Sequence, residues 1–111
     1  MRLTSDFWVG AHVRRCFAEG AYAVVRRRGA REAGAIFLVV DRLDGTYDLY
    51  GPAPQTMLID ADTGGRLFER LQEKCDRETV EARFVREARI DPDFWVVEIE
   101  DRNGRAYLDM D

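Results

Sequence analysis

Arg14, Arg15, Arg26, Arg27, Arg28 and Arg31 crowd the first third of this 111-residue chain. A guanidinium presents a planar fork of donors that matches phosphate and carboxylate. Several converging on one surface could therefore hold a nucleic-acid backbone, with affinity falling steeply in salt. On a strand, Arg26 and Arg28 share one face and Arg27 takes the other. Tyr22 is the one aromatic on that strand suited to base stacking, and a solvated strand end with rim ion pairs gives the same pattern. The basic set is sixteen Arg and only Lys74. That bias fits phosphate recognition, and a genome rich in G and C produces it equally well.

Carboxylates gather at the other end. If Asn103-Gly104 closes a hairpin, Glu98 stands opposite Asp109 on its outer face, with Glu100 and Asp111 beside them. Hard oxygen ligands suit Mg²⁺ or Ca²⁺, so Glu98, Glu100 and Asp109 are the candidate set for a metal-dependent hydrolase. The same charges on an exposed edge would also simply deter aggregation. His12 and Cys16 lie four apart on a predicted helix, a spacing open to two metal ligands, with distant Cys75 as a third. No close second pair completes a zinc site, and a cysteine on an apolar stripe is inert. Gly64-Gly65 lacks the Lys-Ser/Thr tail of a phosphate loop. Ser5, the only serine, suits a helix cap better than a nucleophile. No cofactor is expected, and the residues leave open whether any catalysis occurs.

One further rim could bind. Tyr50-Gly51-Pro52-Ala53-Pro54-Gln55 carries two prolines that stiffen its backbone, and Tyr50 would stand at its edge.

The elements that must position these groups are readable from periodicity. Val9, Val13, Cys16 and Phe17 recur at helical spacing, predicting a helix over Asp6–Glu19 with Ser5 as cap and Gly20 as stop; Arg14 and Arg15 fall on its wet side. A strand follows at Tyr22–Arg28. The apolar run from Ala35 to Val40 predicts a central strand, Ala33–Arg42, covered on both faces. Taking Asp44-Gly45 as a two-residue turn places Arg42 opposite Tyr47 and Val40 opposite Leu49. Ile36, Leu38, Val40, Tyr47 and Leu49 then share one face, and Ala35, Phe37, Val39 and Tyr50 the other. Thr56–Ile59 reads as a short extended piece, and Arg66–Cys75 fits helix or strand alike. A second helix is capped by Asp76, buries Val80, Phe84 and Ala88 with Val85 beside them, and ends before Pro92. Its Arg83, Arg86 and Arg89 interleave with Glu78, Glu81 and Glu87 as a salt-bridged wet face. The last element is a hairpin, Phe94–Asp101 with Arg105–Met110, pairing Ile99 with Leu108 and Val97 with Met110.

The sum is one α+β domain over residues 1–111: an antiparallel sheet of two hairpins plus an extra strand, with two helices packed on it. At 46% apolar and 11% aromatic, the chain can bury a core without disulfides. Its longest apolar run is far short of the roughly 20 residues of a membrane span. The first residues carry no secretory pattern, and two unpaired thiols suit the cytoplasm. Net charge is −4, with the acid excess confined to residues 51–111.

Arg2-Leu3-Thr4-Ser5-Asp6, Leu43-Asp44-Gly45-Thr46 with Leu49 through Gln55, and Arg86-Glu87-Ala88-Arg89 through Asp91-Pro92-Asp93-Phe94-Trp95-Val96-Val97-Glu98-Ile99-Glu100 together are distinctive. They resemble a small alphaproteobacterial family catalogued as domain of unknown function 1491. The resemblance implies a stand-alone bacterial protein and transfers no catalytic residue. On these grounds the preferred function is a non-enzymatic module that binds a protein partner, with a homodimer as one form. The alternatives are nucleic-acid binding through the arginines and the metal-dependent hydrolase.

Overall fold

A computed structural model describes residues 3–54 and 66–109. The elements run α1 (Ser5–Ala18), β1 (Tyr22–Arg27), β2 (Ile36–Asp41), β3 (Tyr47–Pro52), β4 (Phe68–Cys75), α2 (Arg77–Ile90) and β5 (Trp95–Glu100). The strands form one sheet in the order β1-β5-β2-β3-β4. Every pairing is antiparallel except β2 with β5. The expected α+β class with two helices on the sheet is therefore the fold, with one parallel pairing added. The ambiguous stretch before Cys75 is a strand, and Thr56–Ile59 lies outside the described residues.

β2 and β5 occupy the middle of the sheet and are buried over almost their whole length. Their side chains alternate between two cores. Ile36, Leu38, Val40, Trp95, Val97 and Ile99 meet α1 through Val9 and Cys16. Phe37, Val39, Phe94 and Val96 meet α2 through Val80 and Phe84. At roughly 1.5–3 kcal/mol per large apolar side chain fully buried, these two cores dominate the folding energy, and the helices have little independent reason to form.

Thr4, not Ser5, caps α1: its hydroxyl accepts from the Phe7 amide at 3.2 Å. Ser5 is buried and donates to the Gly34 carbonyl at 2.6 Å, tying the helix entry to the β1–β2 connection. Phe17, expected in the buried stripe, is 52% exposed, because the sheet side of α1 is filled by Val9, His12 and Cys16. On α2, Asp76 caps as expected, accepting from the Thr79 amide at 2.8 Å, and Asp91 leaves the helix extended before Pro92. Val85 faces out.

The β2–β3 turn corrects the expected register by one residue. Asp41 pairs with Tyr47 and Val39 with Leu49, because the connection runs from Arg42 to Thr46. Two side chains shape it: the Asp41 carboxylate accepts from the Leu43 amide at 2.8 Å, and Asp44 accepts from the Thr46 amide at 2.9 Å. Leu43 sits at φ 64°, which a two-residue Asp-Gly turn would not require. A slip of one reverses every side chain, so Tyr47 and Leu49 join the α2 core and Tyr50 the α1 core.

The second hairpin does not form. β5 is hydrogen-bonded on one edge to β1 and on the other to β2, which leaves no edge for a return strand. The Asn103-Gly104 turn itself is present, with Gly104 at φ 75° donating to the Asp101 carbonyl. An added methyl there would also collide with the Arg42 guanidinium. Beyond it, the Asp101 carboxylate gathers the Arg105 amide at 2.7 Å and the Tyr107 hydroxyl at 2.9 Å. The chain curls over the α1 side of the sheet instead of extending. Ile99 and Leu108 are not partners, and Met110 lies outside the described residues.

Candidate interaction surface

The arginines do not assemble into one basic patch. β1 carries a bulge between Val25 and Arg27, which turns Arg26 and Arg27 toward the α2 side of the sheet. Arg26 approaches the Glu98 carboxylate at 3.8 Å. Arg27 lies over the Phe94 ring, 4.1 Å from its centroid, and donates to the Pro92 carbonyl. Arg28 takes the other side, 5.7 Å from the Trp95 ring. Arg31 pairs with Asp6 at 3.4 Å, at the entry to α1. Arg15 reaches Asp109 at 2.9 Å and Glu19 at 3.9 Å. Arg14 is exposed on α1. Five of the six guanidinium groups therefore already hold an acid, a ring or a carbonyl.

Tyr50 is buried, not a rim residue. It lines a cleft of about 290 Å³ with Gly104, Arg105, Ala106, Tyr107 and Leu108. Two strands, β5 and β2, separate β3 from β1, so at ~4.8 Å per strand Tyr50 and the β1 arginines stand roughly 14 Å apart.

The carboxylates also part company. Glu98 is 8% exposed on the α2 side of β5 and receives both arms of Arg77, at 3.0 and 3.1 Å. Asp109 follows the curled segment to Arg15, and that pairing holds its carboxyl below the usual range. Glu100 is exposed. Glu98 and Asp109 no longer face each other, because the hairpin that would have opposed them is absent. Among the described residues, no three His, Cys, Asp or Glu side chains are placed to hold a metal ion.

His12 and Cys16 belong to the core. The His12 ring stacks on Trp8 at 4.6 Å, and its Nε2–H donates to the Ala106 carbonyl at 2.8 Å. Burial pushes its pKa down against the opposing effect of that bond. Burial likewise raises the Cys16 thiol to about 11, leaving it protonated and unreactive at neutral pH. Cys16 packs on the α1 side and Cys75 on the α2 side, so the sheet stands between them.

Two buried acids escaped the sequence reading. Asp48 is fully buried and accepts from Arg42 Nε at 3.1 Å, from an Arg42 terminal nitrogen at 2.7 Å and from the Lys74 amide at 2.8 Å. Asp101 is the second; burial opposes its ionisation, but Arg105, the Arg105 amide and Tyr107 together hold its carboxyl below the ordinary range. The available signal was an acid flanked by β-forming residues in Tyr47-Asp48-Leu49, a position where a charge needs a dedicated partner.

Several large apolar side chains remain outward, among them Phe7, Val85 and Ile90, and two others form a pair at one edge. Phe17 at the end of α1 and Tyr22 at the start of β1 are 52% and 51% exposed. Their rings meet edge to face, 5.9 Å between centroids. β1 has no strand on its outer side among the described residues. Its second half is blunted against strand addition by the bulge and the arginines, while Tyr22–Val24 is regular and paired one to one with β5.

A five-stranded mixed sheet with one helix per face, with Asp48, Glu98 and Asp101 buried in ion pairs, defines a small α+β domain with an exposed aromatic pair at its α1–β1 edge. The chain belongs to the family described as protein of unknown function (DUF1491), whose model matches residues 3–109. The solution structure of protein Atu0922 from A. tumefaciens is similar at 46% identity over 90% of this chain and 86% of that one, with a TM-score of 0.79. A DUF1491 family crystal structure from Caulobacter crescentus CB15 is 40% identical over 98% of this chain and 95% of that one, at 0.78. No curated protein matches the chain. No helix among the described residues is long and apolar enough to cross a membrane.

Proposed function

We propose that this chain is a non-enzymatic, cytoplasmic interaction module that docks a protein partner on the α1–β1 edge. The observation that carries it is the half-exposed Phe17–Tyr22 pair beside an open strand. Aromatic residues next to arginine are the side-chain types that anchor protein interfaces. The engagement of the arginines supports the same reading over nucleic-acid binding, since phosphates would have to displace Glu98, Asp6 and Asp109.

Covering the exposed half of each ring is worth about 1 kcal/mol. Phe17→Ser with Tyr22→Ser should therefore weaken partner binding roughly 30-fold. The assay compares tagged wild type and the double variant in pull-downs from native lysate, with small-angle scattering over a concentration series to detect self-association. A partner or dimer held by wild type and lost in the variant supports the proposal. A strictly monomeric wild type that retains nothing, or retention unchanged by the variant, refutes it.

A further inference from the structure

A second cleft, of about 250 Å³, opens on the opposite side of the sheet, between α2 and the β3–β4 ribbon; it is lined by Leu49, Gln72, Thr79, Ala82, Arg83 and Arg86. Thr79, Arg83 and Arg86 follow one another at helical spacing and so share a face of α2. Gln72 reaches the cleft from β4, where it pairs with Leu49, the fully buried apolar floor.

The sequence pattern predicted a salt-bridged face here, and the structure leaves that pattern half made. Arg83 reaches Glu87 only at 3.5 Å, while its guanidinium rests 5.5 Å from the Phe37 ring. The Arg86 guanidinium makes no ion pair or hydrogen bond with the described residues, and neither does the side-chain amide of Gln72. The Thr79 hydroxyl is already donated to Asp76 at 2.7 Å. Two guanidinium forks and an amide thus border one small concavity, with Glu87 as the single carboxylate among the described residues in contact with either fork.

We propose that this cleft binds the phosphate group of a small molecule. A carboxylate is planar and is satisfied by one fork, whereas two forks set a helical step apart reach different oxygens of a tetrahedral centre. The volume lies below the 300–1,000 Å³ or so of drug-sized pockets, so it suits a phosphate with a short substituent, and any larger group would extend into solvent. The site is independent of the α1–β1 docking edge and stands or falls separately from it.

The test is a titration of ¹⁵N-labelled protein with inorganic phosphate and, in parallel, with glycerol phosphate, at constant ionic strength against chloride. Saturable shifts should centre on the amides of Gln72, Thr79, Ala82, Arg83 and Arg86. Arg86→Gln should weaken binding about tenfold, the loss of one charge-assisted hydrogen bond. Glu87→Gln should tighten it by releasing Arg83, and Arg89→Gln, outside the cleft, should leave it unchanged. Tighter binding of the ester marks phosphate as the handle of a larger ligand, and equal binding marks the free ion as the ligand. Shifts that never saturate, or an Arg89→Gln loss equal to that of Arg86→Gln, would reduce the effect to diffuse charge attraction and overturn the proposal.

Discussion

Replacing Asp48 by alanine should be among the most damaging single changes in this protein. The carboxylate has no exposure and satisfies three donors at once: two from Arg42 and the Lys74 amide. Removing it strands a guanidinium whose side chain is only 12% exposed. Breaking a buried pair from one side costs about 3–5 kcal/mol. The Lys74 amide sits on an exposed edge residue and can turn to water, which argues for the lower end, about 3 kcal/mol. For a domain of this size that corresponds to a fall in Tm on the order of 15 °C. Urea denaturation followed by tryptophan fluorescence measures it directly. The companion is Asp48→Leu with Arg42→Met, which removes both charges and keeps volume; it should return to within about 1 kcal/mol of wild type. An Asp48→Ala variant that loses less than about 1 kcal/mol, or a double variant as unstable as the single one, would show that the ion pair is not what Asp48 contributes.

His12 should make stability depend on pH in the range where most carboxylates are silent. Its folded pKa lies below the ordinary 6.5, burial being the main cause, so the unfolded chain takes up a proton first. Stability is therefore full at neutral pH and falls as pH drops below about 6.5, levelling out beneath the folded value. His12→Gln should flatten that slope in urea melts between pH 7 and 5, and an unchanged slope would refute the assignment. Gly29→Ala should cost about 3 kcal/mol, the upper end for overpacking, because the new methyl would come within 2.6 Å of the Phe94 carbonyl carbon, which is backbone and cannot rotate away. A Tm within a degree or two of wild type would mean that the β1–β2 connection yields more easily than its packing against Asp93 and Phe94 implies.

The elements legible in the sequence were those whose signal is local. An apolar run covered on both faces announced β2, and Asp76 together with Asp91-Pro92 bracketed α2 almost to the residue. The failures share one cause, the partner a strand chooses. Asn103-Gly104 is a strong hairpin signal, and the chain does turn there. A return strand, however, needs a free edge, and β5 spends both of its edges on β1 and β2, which are distant in sequence. Nothing in residues 94–110 records that competition. The parallel β2–β5 contact that decides it is a tertiary fact, visible locally only as the second all-buried strand, Trp95–Ile99. The same strand placement redistributes the chemistry. With β5 central, Glu98 becomes a buried acid between Arg77 and Arg26, no longer one of four carboxylates on a wet edge. With β1 external, the arginine run is split by a bulge across two faces. Charge that looked functional in one dimension is thereby consumed in holding strands and helices together. The groups left over are Phe17 with Tyr22 at the α1–β1 edge and Arg86 with Gln72 beside α2. The sequence placed Phe17 in a buried stripe, Tyr22 as a stacking ring and Arg86 on a salt-bridged face, because their actual neighbours come from different elements. A binding surface on this fold is legible only after the internal pairings have been subtracted.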